Sequence, residues 1–202
     1  MGRHNNREEI LAESIQLFSA AGYAGVSMRD IARACHLNVG SLYHHFNDKQ
    51  HLYLSALQHA FADRSIILQE VLESSEPALD RLMRLIDLLC HLLSEDQTFS
   101  RLVQRELLDA DEVRLKHLAE QIFGKFSVAL NHLCQELNPQ LDPVLLSNSI
   151  MGMVLYLFQS APLRKNLLGF QIEHEQPEAI SQHLQQLLCQ GLNQPSSTRG
   201  IA

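Results

Sequence analysis

Apolar positions along this chain recur every three or four residues, and no stretch shows the alternation of a half-buried strand. Near the N-terminus, Ile10, Leu11, Ser14, Leu17, Phe18 and Ala21 share one helical face, with Asn5 or Asn6 as the cap and Gly22 as the stop. Ser27 opens a second, short helix. Asp30, three positions on, makes a weaker form of the capping box, and Ile31 and Ala32 face inward. Asn38 caps a third short helix that ends at His45. Asn47 or Asp48 then starts a long fourth helix striped by Leu52, Leu57, Ala60, Phe61, Leu68 and Leu72.

The stretch ESSEPALD breaks the pattern, and Pro77 belongs in the first turn of a helix that runs to about Ser94. A helix over Thr98 to Leu108 follows, then a single longer one between Asp111 and Leu137. Asp142 caps, and Pro143 opens, an apolar helix to Phe158 or Ser160. SAPLRKNLLG reads as a kink or a short helical turn, Pro177 to Leu192 as the last helix, and 193–202 as a flexible polar tail. The expected fold is all-α.

Composition narrows the class. Hydrophobic residues make up 46% of 202, enough for a real core. The longest apolar run, Ile150 to Phe158, is far short of the ~20 residues that cross a bilayer. The N-terminal MGRHNNREEI lacks the apolar stretch of a signal peptide, so the expectation is a cytoplasmic protein with no membrane partner. Cys35, Cys90, Cys134 and Cys189 are scattered with no CxxC pair, which suits reduced thiols and argues against a metal or disulfide frame. The net charge of −7 falls entirely after residue 49; over residues 1–49, five basic side chains balance five acidic ones. A small neutral module can still bind DNA if its cations face one way.

Ser27 to His45 has the shape of a helix-turn-helix: two short helices, a brief turn, and the small Ala32 where the helices approach. Leu37 and Leu42 supply apolar contact. His36 stands where the turn wants a positive φ, a position usually given to glycine, and histidine is one of the less penalised substitutes. FSAAGYAGVSMRDIARACHLNVGSLYHHFNDKQHLY resembles the DNA-binding region of TetR-family transcriptional regulators. Phe18, Gly22-Tyr23, Ser27, Ile31-Ala32, Leu42-Tyr43, His45-Phe46, Lys49 and Leu52 carry that resemblance, which covers roughly the first fifty residues.

The residue types suit DNA contact. Gly40 and Ser41 open the third helix with little bulk, so backbone N–H groups can approach phosphate. Tyr43 can direct its hydroxyl to a phosphate, His44 can reach a base edge, and His45 can clamp the backbone. Phe46 plugs the small core. Lys49 holds a phosphate as a point charge. Arg29 can make a bidentate contact to guanine. Ser27, Asn38 and Val39 complete the expected DNA-facing set, with Asn38–His45 in the major groove. The bland readings place Tyr43 in the core, His44 and His45 on an idle surface, and Arg29 paired with Asp30. As metal ligands the two histidines are poor, since neighbours on a helix point ~100° apart.

In the second half, the helix from Pro143 is apolar nearly all round and must be buried on more than one side. The last helix sets Ile180, Leu184, Leu187, Leu188 and Leu192 against a glutamine-rich face. Two copies of this pair would close a four-helix interface, placing Val154, Ile180, Leu184, Leu187 and Leu188 between subunits; burial within one chain is the other reading. For an effector site the candidates are His91, Arg105, Phe123, Phe126, Met151 and Tyr156. Arg105, beside Glu106, either points inward to an anionic ligand or lies on a solvated charged face. No Ser-His-Asp set, carboxylate pair, phosphate loop or metal signature stands out.

The expected protein is a homodimeric repressor that reads a near-palindromic double-stranded operator and is released by a small-molecule effector. It is not an enzyme and carries no cofactor. Its parts are a DNA-binding domain over 1–50, a helical effector and dimerisation domain over 51–194, and a tail over 195–202. One rival keeps DNA binding but replaces the effector by a protein partner; another is a helical enzyme.

Overall fold

The computed structural model describes residues 7–192. The proposed caps Asn5 and Asn6 and the tail from 193 lie outside the described residues. Every described element is helical: α1 Arg7–Ala21, α2 Met28–Ala34, α3 Val39–His45, α4 Lys49–Leu72, α5 Ala78–Glu95, α6 Gln97–Asp109 and α7 Glu112–His117. Then come α8 Gly124–Leu137, α9 Pro143–Gln159, α10 Ala161–Arg164 and α11 Pro177–Leu192. No described helix is long and apolar enough to cross a membrane.

Short polar side chains fix the starts. Ser27 and Asp30 form a reciprocal box: the Asp30 amide donates to Ser27 Oγ at 3.2 Å, and the Ser27 amide donates to Asp30 Oδ2 at 3.0 Å. Asn38 Oδ1 accepts from the Ser41 amide at 2.7 Å, and Asp48 Oδ1 from the His51 amide at 2.7 Å. Asp96, Asp111 and Asp142 do the same for α6, α7 and α9.

Asp111 to Leu137 is not the single helix that its pattern predicts. A π turn over Leu118–Ile122 follows α7, and the Phe123 amide donates to the Leu118 carbonyl at 2.8 Å. The wide turn takes in an extra residue, which leaves no mark on a 3.6-residue apolar repeat. A Cβ at Gly124 would stand 3.2 Å from the Ala119 carbonyl, so the restart of α8 suits glycine.

The chain divides into two compact units. The first runs to Ile67 and takes in Asp96–Gly124; the second holds Leu68–Glu95 and the chain from Lys125. The first therefore contains α6 and α7 as well as the helix-turn-helix, and α6 packs along α1. Its core includes Ile10, Phe18, Ile31, Leu42, Phe46, Leu52 and Tyr53, all fully buried. The long helix α4 begins in the first unit and ends in the second.

In the second unit α11 lies along α5, with α9 also against α5. Ser181 Oγ donates to Asp87 Oδ1 at 2.9 Å, and Gln185 Nε2 donates to the Met83 carbonyl at 3.1 Å. This packing corrects the expected subunit interface. Leu184 is 1% exposed, Leu188 7% and Val154 1%, and Ile180 is buried too. A single chain already covers them, so they have no surface left for a second subunit. Of the proposed set only Leu187 is exposed.

Candidate nucleic-acid interface

The helix-turn-helix is built from the inside out. Leu42 and Phe46 are fully buried and hold α3 on its partners. The turn between α2 and α3 passes through His36 at φ 55°, the left-handed conformation expected there. A Cβ at Gly40 would come within 3.2 Å of Asn38 Oδ1, the oxygen that caps α3, so bulk at this position would crowd the cap.

What remains on the outside is mostly polar or aromatic. Ser27, Arg29, Asn38, Gly40, Tyr43, His44 and His45 are exposed; Val39, Ser41 and Lys49 are half-buried. Tyr43 is 49% exposed, so it does not belong to the core. Ser27, Arg29, Val39, Tyr43 and Lys49 line one concave surface of about 670 Å³. Asp30 has its arginine contact from Arg33, at 3.5 Å, rather than from Arg29. The hydrogen bonds from Ser27 hold the Asp30 carboxyl below its ordinary range.

Lys49 begins α4, and its Nζ lies 4.2 Å from the centroid of the Tyr23 ring. Desolvation lowers its pKa, and the nearby Arg114 adds to that effect. The Arg114 guanidinium lies 4.6 Å from the same Tyr23 ring. Arg114 is buried, with its side chain 7% exposed, and Glu106 faces it at 3%. Arg114 Nε donates to Glu106 at 3.1 Å, Nη2 donates to Asp109 at 3.2 Å, and Nη1 stands 3.5 Å from Asp111. The Tyr53 hydroxyl donates to Glu106 as well. Burial and that carboxylate hold the Tyr53 phenol far above its usual range.

Arg105 departs from the role of ligand anchor. Its Nε donates to the Ser19 carbonyl at 2.9 Å and its Nη2 to the Ala20 carbonyl at 2.6 Å, closing the C-terminus of α1. Glu106 belongs to Arg114 and Tyr53, not to Arg105. The other effector candidates divide between the units. Phe123, in the first, packs edge-on against Phe61 at 4.9 Å. In the second, Phe126 is buried, Met151 is half-buried, and Tyr156 is 63% exposed. His91 is half-buried, 3.8 Å from Asp87 and 3.9 Å from Glu95.

Residues 10–56 match the family of bacterial regulatory proteins named tetR. That stretch of the chain is the N-terminal DNA-binding region of the tetR family. A relative, the negative transcriptional regulator IcaR of the biofilm operon icaADBC from Staphylococcus epidermidis, is 31% identical over 55 residues. That match covers 27% of this chain and 30% of the relative, so the chain spans less than a third of that relative's length. Over the whole chain the similarity is one of fold. The regulator FadR from Bacillus subtilis, solved with stearoyl-CoA, superposes at a TM-score of 0.75 with 18% identity, over 92% of this chain and 99% of its own. AibR, solved with isovaleryl coenzyme A and operator DNA, gives 0.71 with 20% identity, over 90% and 96%.

Tyr23 and Lys49 lie within the matched residues 10–56, but the sequence gives no sign that Arg114 reaches the same ring. Arg114 lies among other charges in DADEVRLK, a stretch that looks solvated. Only its burial singles it out.

Proposed function

We propose that the protein is an effector-responsive repressor that binds a near-palindromic operator as a homodimer. The observation that carries this reading is the meeting of Arg29, Tyr43 and Lys49 on one concave surface beside the N-terminus of α3. Arg29 offers a bidentate fork to a base, while Tyr43 and Lys49 offer contacts to phosphate. His44 and His45 are exposed on the same helix but do not line that surface. Replacing Lys49 by alanine should weaken binding to all sequences and flatten the log–log salt slope by ~1. Arg29→Ala should instead relax preference at particular base pairs, by ~1–3 kcal/mol. Unchanged slope and unchanged base preference in those two variants would overturn the reading.

A second copy is proposed to dock on the outer face of α9. Leu145, Ser149, Gly152 and Tyr156 follow one another at helical spacing and are all exposed. A Cβ at Gly152 would meet nothing within 4 Å. Glycine inside a helix costs ~1 kcal/mol relative to alanine, and nothing within the chain calls for it here. Close approach of another helix would. Leu187, exposed on α11, is assigned to the same face.

The effector class proposed is an acyl-coenzyme A thioester, because two proteins of this fold were solved with one. Its acyl chain would rest on apolar side chains of the second unit such as Phe126 and Met151, with His91 as a polar candidate. Arg105 has no part in it. Titration of operator-bound protein with short- and long-chain acyl-CoA should release DNA. Retention at saturating concentrations of every chain length would reject the class.

A further inference from the structure

We propose that Arg114 is a positioning residue for operator binding: it packs on the same Tyr23 ring as Lys49, and so holds that amine at the DNA-facing surface. This rests on the reading of Lys49 as a phosphate contact. Arg114 itself is buried and cannot reach DNA.

The arrangement around Arg114 is costly in itself. A guanidinium sealed from water needs close carboxylates, and Arg114 has three: Glu106, Asp109 and Asp111. Its neighbours come from four elements, with Tyr53 on α4, Glu106 and Asp109 on α6, Asp111 at the start of α7, and Tyr23 after α1. The α6–α7 corner is thereby fastened to the reading head through one cation. A packed apolar group could fasten it as well, without desolvating a charge.

The charge has a second effect. The Tyr23 ring lies between 4 and 5 Å from two cationic groups, the Lys49 amine and the Arg114 guanidinium. Arg114 occupies the carboxylates of Glu106, Asp109 and Asp111, and its own field opposes movement of Lys49 toward them. Take that charge away and three carboxylates remain near a ring that also holds Lys49. The lysine is then drawn inward, and the concave surface loses the Lys49 amine and keeps only Arg29 as a cation. The direction of the Lys49 pKa shift agrees, since Arg114 is one of its two causes. Any movement of α6 and α7 within the head would act on Lys49 by the same route.

The experiment is a double-mutant cycle read in salt dependence. Operator affinity is measured by fluorescence anisotropy across a salt series for wild type, Lys49→Ala, Arg114→Gln, the double variant and Arg114→Lys, each checked for helicity by circular dichroism. Lys49→Ala should reduce the slope by about 1 in the wild-type background. Arg114→Gln alone should reduce slope and affinity by similar factors, and Lys49→Ala should then add nothing. Arg114→Lys keeps the cation and should preserve the effect of Lys49. A purely structural Arg114 gives the other pattern, with Lys49→Ala still removing about 1 from the slope and the two losses in affinity multiplying. That result overturns the proposal while leaving the phosphate contact intact. If Lys49→Ala changes nothing even in wild type, the underlying reading fails, and this one with it. Should Arg114→Gln not fold, Tyr23→Leu serves in its place. Without the ring, Lys49→Ala should no longer move the slope, and a full decrement would refute the relay.

Discussion

Arg105 donates to the Ala20 carbonyl at 2.6 Å, across a separation of 85 positions in the chain. A second bond to Ser19 makes this side chain the C-terminal clamp of α1. The adjacent Gly22 adopts φ 73°, and a Cβ there would stand 3.1 Å from Arg105 Nη1. The cation also sits at the negative end of the α1 dipole. Arg105→Met should therefore act on stability, lowering the unfolding free energy of the first unit by about 1–2 kcal/mol. Denaturant titration checks this. A variant with unchanged midpoint that no longer responds to any acyl-CoA would restore the ligand-anchor role.

His36 offers a stabilising substitution. Its φ of 55° carries the left-handed strain that a side chain with a Cβ feels and glycine does not. The residue is exposed and lies outside the concave surface. His36→Gly should raise stability by about 0.5–1 kcal/mol and leave operator affinity within twofold. A loss of stability would mean that the imidazole makes a compensating contact.

His36 also shows why the helix-turn-helix could be read early. Its caps, its turn and its buried Leu42 and Phe46 lie within some twenty residues, where chain geometry ties each to the next. The outer face followed as the remainder once the inner face was assigned. The Arg114 network was hidden for the opposite reason. Tyr53 and Glu106 are 53 positions apart, and no local pattern says which of several charges in that stretch is buried. The stripe on α11 was visible, but a stripe says only that a face is covered. It does not say whether α5 or a second chain covers it.

The thiols make a prediction that depends on pH. Burial pushes Cys35 and Cys134 up to about 11 and Cys90 up to about 12, while Cys189 is half-exposed beside Met83. Alkylation needs the thiolate, and a group with a pKa near 11 holds only about a thousandth of its population as thiolate at pH 8. Native protein at pH 8 should show one fast-reacting thiol, Cys189. The other three should react only with unfolding. These raised values stabilise the fold below pH 9, and that contribution falls as pH rises toward 11 and 12, since the unfolded state ionises first. Fast labelling of Cys90 in folded protein would contradict the burial.

Subunit assembly gives the sharpest contrast between two pairs of leucine and tyrosine positions. Leu184 and Leu188 are covered by their own chain, so Leu184→Glu with Leu188→Glu places two carboxylates in a single-chain core. Each should cost several kcal/mol, and the expected outcome is unfolding of the second unit at any protein concentration. Leu145 is 68% and Tyr156 63% exposed, so glutamates there cost a lone chain little. Across a two-fold axis each would appear twice and meet an apolar surface or its own copy. Leu145→Glu with Tyr156→Glu should give a folded monomer, with helicity unchanged, roughly half the mass in light scattering, and weak operator binding, because the two half-sites are no longer held together. A double variant at these positions that remains dimeric at micromolar concentration would move the interface off α9.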